Sequence, residues 1–230
     1  DRVILNVAVG NHYESGHRST FNHCMANCPE AALMFWDDYP EGCPPHHEQM
    51  YAFKIFAIRE AIKAGFRYIL WMDTAFQPTR SIAPLWETIA REGWYVPPQG
   101  DAKLGHWTSD AALTAYGIGR ETASCIQLCF SGLVGLDMQS TIGKQIWLDW
   151  EAFQKLGVFN GPHKNTPGSA WSEWGQKWQG HCSDDPRVEG HRHDESALSF
   201  VLWNLSLRPP WTNFLTLESK EGFIGHHIPG

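Results

Sequence analysis

The chain has 230 residues, 43% of them hydrophobic and 13% aromatic, enough to bury the core of one large α/β domain covering 1–230. Eighteen Lys and Arg against twenty-five Asp and Glu leave a formal charge of −7, and with no basic run to track a phosphate backbone, nucleic acid is not an expected partner. No stretch approaches the roughly 20 apolar residues of a membrane helix, and no charged-then-apolar signal segment opens the chain.

The chain starts at Asp1 rather than Met, which leaves a removed leader or trimmed anchor open. The six cysteines (Cys24, Cys28, Cys43, Cys125, Cys129, Cys182) form no CxxC pair, and reduced thiols in a cytoplasmic protein are the expectation. The twelve Trp residues are expected mostly in core packing, with a few faces left for sugar rings.

Val3–Val9 is a β-branched apolar run ending at Gly10, as in a strand buried on both faces of a parallel sheet. The loop GNHYESGHR follows. Ligands of open α/β sheets bind beyond the carboxyl ends of strands, so Gly10, Asn11, Tyr13 and Arg18 are binding candidates, with Tyr13 placed to stack on a base. A helix is expected over Ser19–Asn27 and a strand over Ala31–Trp36, before the acidic, proline-rich DDYPEGCPPHHE breaks regular structure. His23, Cys24 and Cys28 lack a partner pair at finger spacing, so zinc is not expected there.

From Tyr51 to Ala64 apolar residues recur at helical spacing, with Gly65 as the stop. Phe66–Met72 is the most strand-like stretch and delivers Asp73 at its carboxyl end, before a helix near Ile82–Glu92. An aspartate there can hold a divalent cation or a ribose hydroxyl, or simply cap a turn. GHWTSD is a polar turn in which Trp107 and Asp110 offer a sugar platform, an aromatic face beside a carboxylate. A helix follows from Ala111, then a strand over Ile126–Leu136 interrupted by Ser131 and Gly132, small residues that allow close backbone approach. Thr141–Leu156 reads as helix, Gly157–Gly190 as loop, and Ser196–Asn204 as a final helix with Asp194 as its cap and Glu195 in the first turn. His191 and His193 alternate, which puts both rings on one face of an extended segment.

The order of a strand with a GN loop, a helix carrying Lys54, then YILWMDTAF resembles the donor-binding half of GT-A fold nucleotide-sugar glycosyltransferases. CFSGLVGLD (Cys129–Asp137) and RHDESALS (Arg192–Ser199) resemble two further elements of that family. The resemblance implies a single α/β domain whose mainly parallel, Rossmann-like sheet is flanked by helices. It also implies transfer of a sugar from a nucleoside-diphosphate donor, such as a UDP- or GDP-sugar, to a carbohydrate or other acceptor hydroxyl.

In that frame Asp194 and Glu195 are catalytic or orient the donor sugar. Gly10, Asn11, Tyr13, Arg18, Lys54, Asp73, Thr74, Ser131 and Gly132 bind the donor, with Arg18 and Lys54 neutralising diphosphate charge. Trp107, Asp110 and His193 face the acceptor or sugar. A divalent cation, Mn²⁺ or Mg²⁺, is implied on Asp73 and His227. Ala75 replaces the second carboxylate of the family's Asp-x-Asp, so more of the cation's shell falls to water and diphosphate oxygens.

Three other readings compete. A noncatalytic carbohydrate or nucleotide-sugar binding module on the same fold is suggested by the altered motif. A nucleotidyltransferase would open with a glycine-rich loop that GNHYESGHR lacks. A histidine-based metal hydrolase would carry a helical ligand pair such as HExxH, absent from this sequence.

Overall fold

The computed structural model describes residues 1–166, 179–210, 214–216 and 224–226. In chain order the elements are β1 (Arg2–Val7), α1 (Asn11–Asn27), β2 (Ala32–Trp36), α2 (Ala52–Lys63), β3 (Tyr68–Met72), β4 (Phe76–Pro78), α3 (Ala83–Glu92), β5 (Trp94–Tyr95) and β6 (Pro98–Lys103). There follow a 3₁₀ turn (Leu104–His106), α4 (Asp110–Tyr116), α5 (Arg120–Cys125), β7 (Gln127–Cys129), β8 (Leu133–Asp137), α6 (Thr141–Lys155), β9 (Lys164–Asn165), β10 (Gln179–Gly180), α7 (His193–Asn204), β11 (Leu215–Thr216) and β12 (Ile224–His226).

The central sheet has the order β2-β1-β3-β8-β5. β1 pairs in parallel with β2 and β3, while β8 runs antiparallel to both β3 and β5. Four strands therefore share one direction and β8 alone opposes them. Side chains alternate across the sheet. Val3, Leu5, Ile69 and Trp71 enter a core with residues of α2, α6 and α7. Ile4, Leu70 and Met72 enter a second core with Cys24 of α1, Cys28 at its C-terminal cap, and Leu85, Trp86 and Ile89 of α3. Helices cover both faces, as the sequence pattern implied.

Local signals set most boundaries. Gly65 (φ 84°) and Gly93 (φ 83°) adopt the left-handed conformation that ends α2 and α3 at little steric cost. The Ser140 hydroxyl caps α6 by accepting from the Gly143 amide at 2.9 Å. α7 is buried along nearly its whole length, from His193 to Leu202, its polar first turn included.

Three sequence expectations change. The segment read as the loop GNHYESGHR is helical: α1 starts at Asn11, not Ser19. Gly16 is tolerated inside it because α1 lies so close to the turn after β3 that an added Cβ would stand 2.7 Å from the Thr74 carbonyl oxygen. The single strand expected over Ile126–Leu136 is two, β7 and β8, in different sheets, because the chain turns through Phe130–Gly132. Asp194 does not cap α7; Arg192 holds that position and both acidic residues lie in the first turn.

The six cysteines are free thiols. No helix among the described residues is long and apolar enough to cross a membrane. The loop expected over Gly157–Gly190 contains the β9–β10 pair, and 167–178 lie outside the described residues.

Gly16→Ala should lower stability by about 1–3 kcal/mol, as overpacking against fixed backbone does, while Gly119→Ala, where an added Cβ meets nothing within 4 Å, should leave it nearly unchanged. Urea denaturation of the two variants measures this.

Candidate donor and sugar site

Four elements meet beyond the carboxyl end of β3. α2 supplies Lys54, β3 ends in Met72 and hands on Asp73, the β7–β8 turn supplies Ser131 and Gly132, and α7 opens with Asp194 and Glu195. The Lys54 side chain is 2% exposed, yet carries a charge. Its ammonium lies 2.9 Å from Asp194 Oδ2 and 3.3 Å from Asp73 Oδ1. It also donates to the Ser131 carbonyl (3.1 Å) or hydroxyl (3.2 Å). Ser131 takes the hydrogen bonds of the ammonium, and the two carboxylates lie within ion-pair range of it. The rings of Tyr51 and Trp71 lie 5.3 and 5.6 Å from Nζ, within cation–π range. Burial opposes the charge on Lys54, but the Asp194 and Asp73 carboxylates outweigh it and raise its pKa.

Asp73 is the open member of the cluster, with a side chain 32% exposed. Trp71 Nε1, two residues earlier on the same face of β3, donates to Asp73 Oδ1 at 2.7 Å. The Asp73 amide donates to the Gly132 carbonyl at 2.9 Å. A Cβ on Gly132 would come within 2.9 Å of Asp73 Oδ2, so only glycine leaves that oxygen clear. Tyr13, in the first turn of α1, has its phenol pKa raised by burial and then by the Asp73 charge. Thr74 contributes its carbonyl, which accepts from the Thr20 hydroxyl at 3.2 Å.

Asp194 is buried, and Trp150 Nε1 fixes its carbonyl at 2.9 Å. Burial raises its carboxyl pKa and the Lys54 ammonium pulls it back. Glu195 is raised to about 8, by burial first and then by the Asp194 charge, which favours its neutral form. Its Oε1 is buried and has no hydrogen-bond partner among the described residues. The Ser199 hydroxyl ties the Glu195 carbonyl (2.7 Å) to the Cys129 amide (2.8 Å), locking the α7 entry to β7.

Other expected residues take different places. Lys54 is buried, hydrogen-bonded to Ser131 and ion-paired with Asp194 and Asp73. Arg18 pairs with Glu14 at 2.9 Å on the rim of a cavity of about 530 Å³ between β1, β2 and α1, next to Gly10. Asn11 opens α1, and its side chain lies outside the described residues. Asp110 is held by Arg120 and by the Ser183 hydroxyl, while the Arg192 guanidinium covers the Trp107 ring at 4.4 Å; this pair is not arranged as an open sugar platform.

His193 is fully buried with φ 45°. Its ring packs 4.7 Å from His191 and 5.7 Å from His163, and burial pushes its pKa well below the usual value. His191 Nδ1 accepts from the Ser109 amide while Nε2 donates to the Val158 carbonyl, as in a neutral structural imidazole. His227 lies outside the described residues; the preceding His226 pairs through its backbone with Phe76, three residues beyond Asp73.

The implied divalent cation finds a single-carboxylate anchor. Two carboxylates against one ammonium leave Asp73, Asp194 and Lys54 one charge negative, which suits a cation, and Asp73 Oδ2 is the oxygen left to it. Among the described residues no group of three His, Cys, Asp or Glu side chains converges to hold a metal. The sequence reading missed Tyr51, Trp71 and Trp150. Trp71 alone carried a signal, its i, i+2 spacing from Asp73 along a strand.

No family model matches the chain, and no curated protein matches it. Solved structures do. Mouse xyloside xylosyltransferase 1, in its apo form, is 9% identical, covers 100% of both chains and superposes with a TM-score of 0.50. A glycosyltransferase involved in glycosylation of the major capsid of PBCV-1 is 8% identical, covering 64% of this chain and 66% of its own, with a TM-score of 0.40. An active-site mutant of LgtC is 13% identical, covering 99% and 88%, with a TM-score of 0.39. The xylosyltransferase likeness shows the fold, a GT-A-like α/β arrangement.

Lys54→Met should cost about 3–5 kcal/mol, because removing one partner of a buried ion cluster strands the others. Adding Asp194→Asn should return part of that loss, a coupling that urea denaturation of the single and double variants reads directly.

Proposed function

We propose that the chain transfers a sugar from a nucleoside-diphosphate donor to an acceptor hydroxyl. The observation that carries this reading is the Lys54 clamp. It holds an open aspartate at the end of a central strand beside two buried acidic residues at the start of α7, on a fold shared with a glycosyltransferase.

Asp73 sits where a diphosphate would lie, and a Mn²⁺ or Mg²⁺ ion on Asp73, with His227 as a second ligand, would supply positive charge to the leaving diphosphate. Asp194, fixed by Lys54 and Trp150, orients the donor sugar through its hydroxyls. Glu195 takes the proton of the acceptor hydroxyl. As the acceptor oxygen bonds to the sugar's anomeric carbon, the bond from that carbon to phosphate oxygen breaks and its electron pair leaves with the diphosphate. The six free thiols support a reducing, cytoplasmic setting.

A second reading has its own observation: Ala75, in place of a carboxylate, packs on the apolar core with Leu70 and Met72, which suits a noncatalytic nucleotide-sugar binding module. Transfer or donor hydrolysis above background excludes it.

Glu195 must be ionised to accept a proton, and its pKa is about 8. The rate kcat/KM should therefore rise about tenfold per pH unit below 8 and level off above. Glu195→Gln should lower the rate by about 10²–10⁴-fold and flatten that profile. Stability should move the opposite way. The folded state keeps a proton that the unfolded chain releases above about pH 4.5, so stability falls as pH rises from there toward 8, by up to about 1.4 kcal/mol per unit. Glu195→Gln should remove that slope. A rate that ignores pH between 6 and 8 in the wild type would contradict the assignment.

A further inference from the structure

Arg192 carries a charge that the fold holds in place without neutralising it. Arg18, Arg59, Arg67, Arg91, Arg120 and Arg187 each pair with a carboxylate. The Arg192 guanidinium makes neither an ion pair nor a hydrogen bond among the described residues, and its Nε is buried without a partner. The residue is half-buried, so part of its hydration is lost and no protein acceptor replaces it.

The chain around this cation is fixed. The Arg192 amide donates to the Trp107 carbonyl at 3.0 Å, and the Ser196 hydroxyl donates to the same carbonyl at 2.6 Å. The Trp107 indole supports the guanidinium 4.4 Å from its ring centre, within cation–π range. Trp107 directly follows the 3₁₀ turn and Arg192 directly precedes α7, so two segments distant in the chain meet around one unpaired cation. The ring that the sequence offered as a sugar platform serves an arginine instead.

Glu195 follows one turn later, its amide donating to the Arg192 carbonyl at 2.8 Å. It is 7% exposed, and its Oε1 also lacks a partner. Residues three apart on a helix can pair across the turn, yet no ion pair joins these two among the described residues. Burial favours the neutral form of Glu195, which withholds a counter-charge. Asp194, the other acid of this turn, belongs to the Lys54 cluster.

We infer that Arg192 sets acceptor specificity and that the acceptor is an acidic sugar, its carboxylate held by the guanidinium while a neighbouring hydroxyl reaches Glu195. The inference rests on the transferase reading above and names the acceptor class it left open. A guanidinium binds a carboxylate through two parallel N–H···O bonds. One uncompensated positive charge matches one carboxylate better than a phosphate ester, which carries nearly two negative charges. A neutral sugar leaves the arginine unpaired, and a site built for a polar group rejects the analogue that lacks it.

Isothermal titration of the full chain with glucuronate, galacturonate, glucose and glucose 6-phosphate tests this in the wild type, Arg192→Gln and Arg192→Lys. The guanidinium makes no protein hydrogen bond, so both variants should keep the wild-type melting temperature. Expected is one or both uronates binding at least about tenfold tighter than glucose or glucose 6-phosphate. That preference should vanish in Arg192→Gln and return only in part in Arg192→Lys, which restores the charge without the fork. Glucose or glucose 6-phosphate binding as tightly as the better uronate, neither uronate binding, or a preference that survives Arg192→Gln would overturn the inference. So would an Arg192-dependent preference for UDP-glucuronate over UDP-glucose, which puts the carboxylate on the donor. Titration with nucleoside diphosphates separates the two claims. A chain that binds nucleotides but is indifferent to uronates loses the acidic acceptor and keeps the transferase reading; one that binds uronates through Arg192 but no nucleotide loses the transferase reading and the acceptor role with it.

Discussion

A buried ammonium must find its counter-charges within hydrogen-bond reach, and Lys54 finds them on segments far apart in the chain. From α2 it reaches Asp73 after β3, Ser131 between β7 and β8, and Asp194 at the start of α7. Each of these carries part of the crevice, so the ion cluster decides how the crevice is shaped. A hydrophobic replacement of similar volume is often at least as stable as such a cluster. Burying Lys54 and Asp194 beside the open Asp73 therefore fits a ligand role better than a stabilising one.

Around the clamp, tryptophan and glycine supply the precision. Trp71 and Trp150 spend their indole N–H groups on Asp73 and on the Asp194 carbonyl, so both acidic residues are held from two sides. Gly132 lets the turn pass beneath Asp73, and Gly16 lets α1 press on the carbonyl of Thr74. The buried rings of His191 and His193 meet edge to face where the chain enters α7, and burial lowers the pKa of both.

Much of this was legible from the sequence, for a physical reason. Runs such as VILNV and YILWM are buried on both faces, and Asp73 stands out because a charge follows directly on an apolar strand. Asp194 and Glu195 were legible as an acidic pair opening a helix. Lys54 was visible as a residue of α2, but not as buried, because Asp194, the partner that neutralises it, lies 140 positions away. The same holds for Asn6, whose Oδ1 lies 2.5 Å from His17 Nδ1: it is an isolated polar residue in an apolar strand, yet nothing local says which histidine it meets. The first turns of α1, 11–18, fell in the segment read as a loop after β1, and the close approach to Thr74 that requires Gly16 is a tertiary fact. The strand split at Ser131 and Gly132 was half seen, as an interruption rather than a turn between sheets.

The account stands on Asp73 as the anchor of a nucleotide donor, and the most direct measurement is the melting temperature of the wild type and Asp73→Ala with nucleoside diphosphates, each with and without Mn²⁺. A ligand at a hundred times its Kd stabilises the folded state by about 2.7 kcal/mol, roughly 5–10 °C for a chain of this size. The account predicts such a shift for the wild type and its loss in Asp73→Ala. An equal shift in both proteins, or no shift with any nucleoside diphosphate in either metal condition, would contradict it.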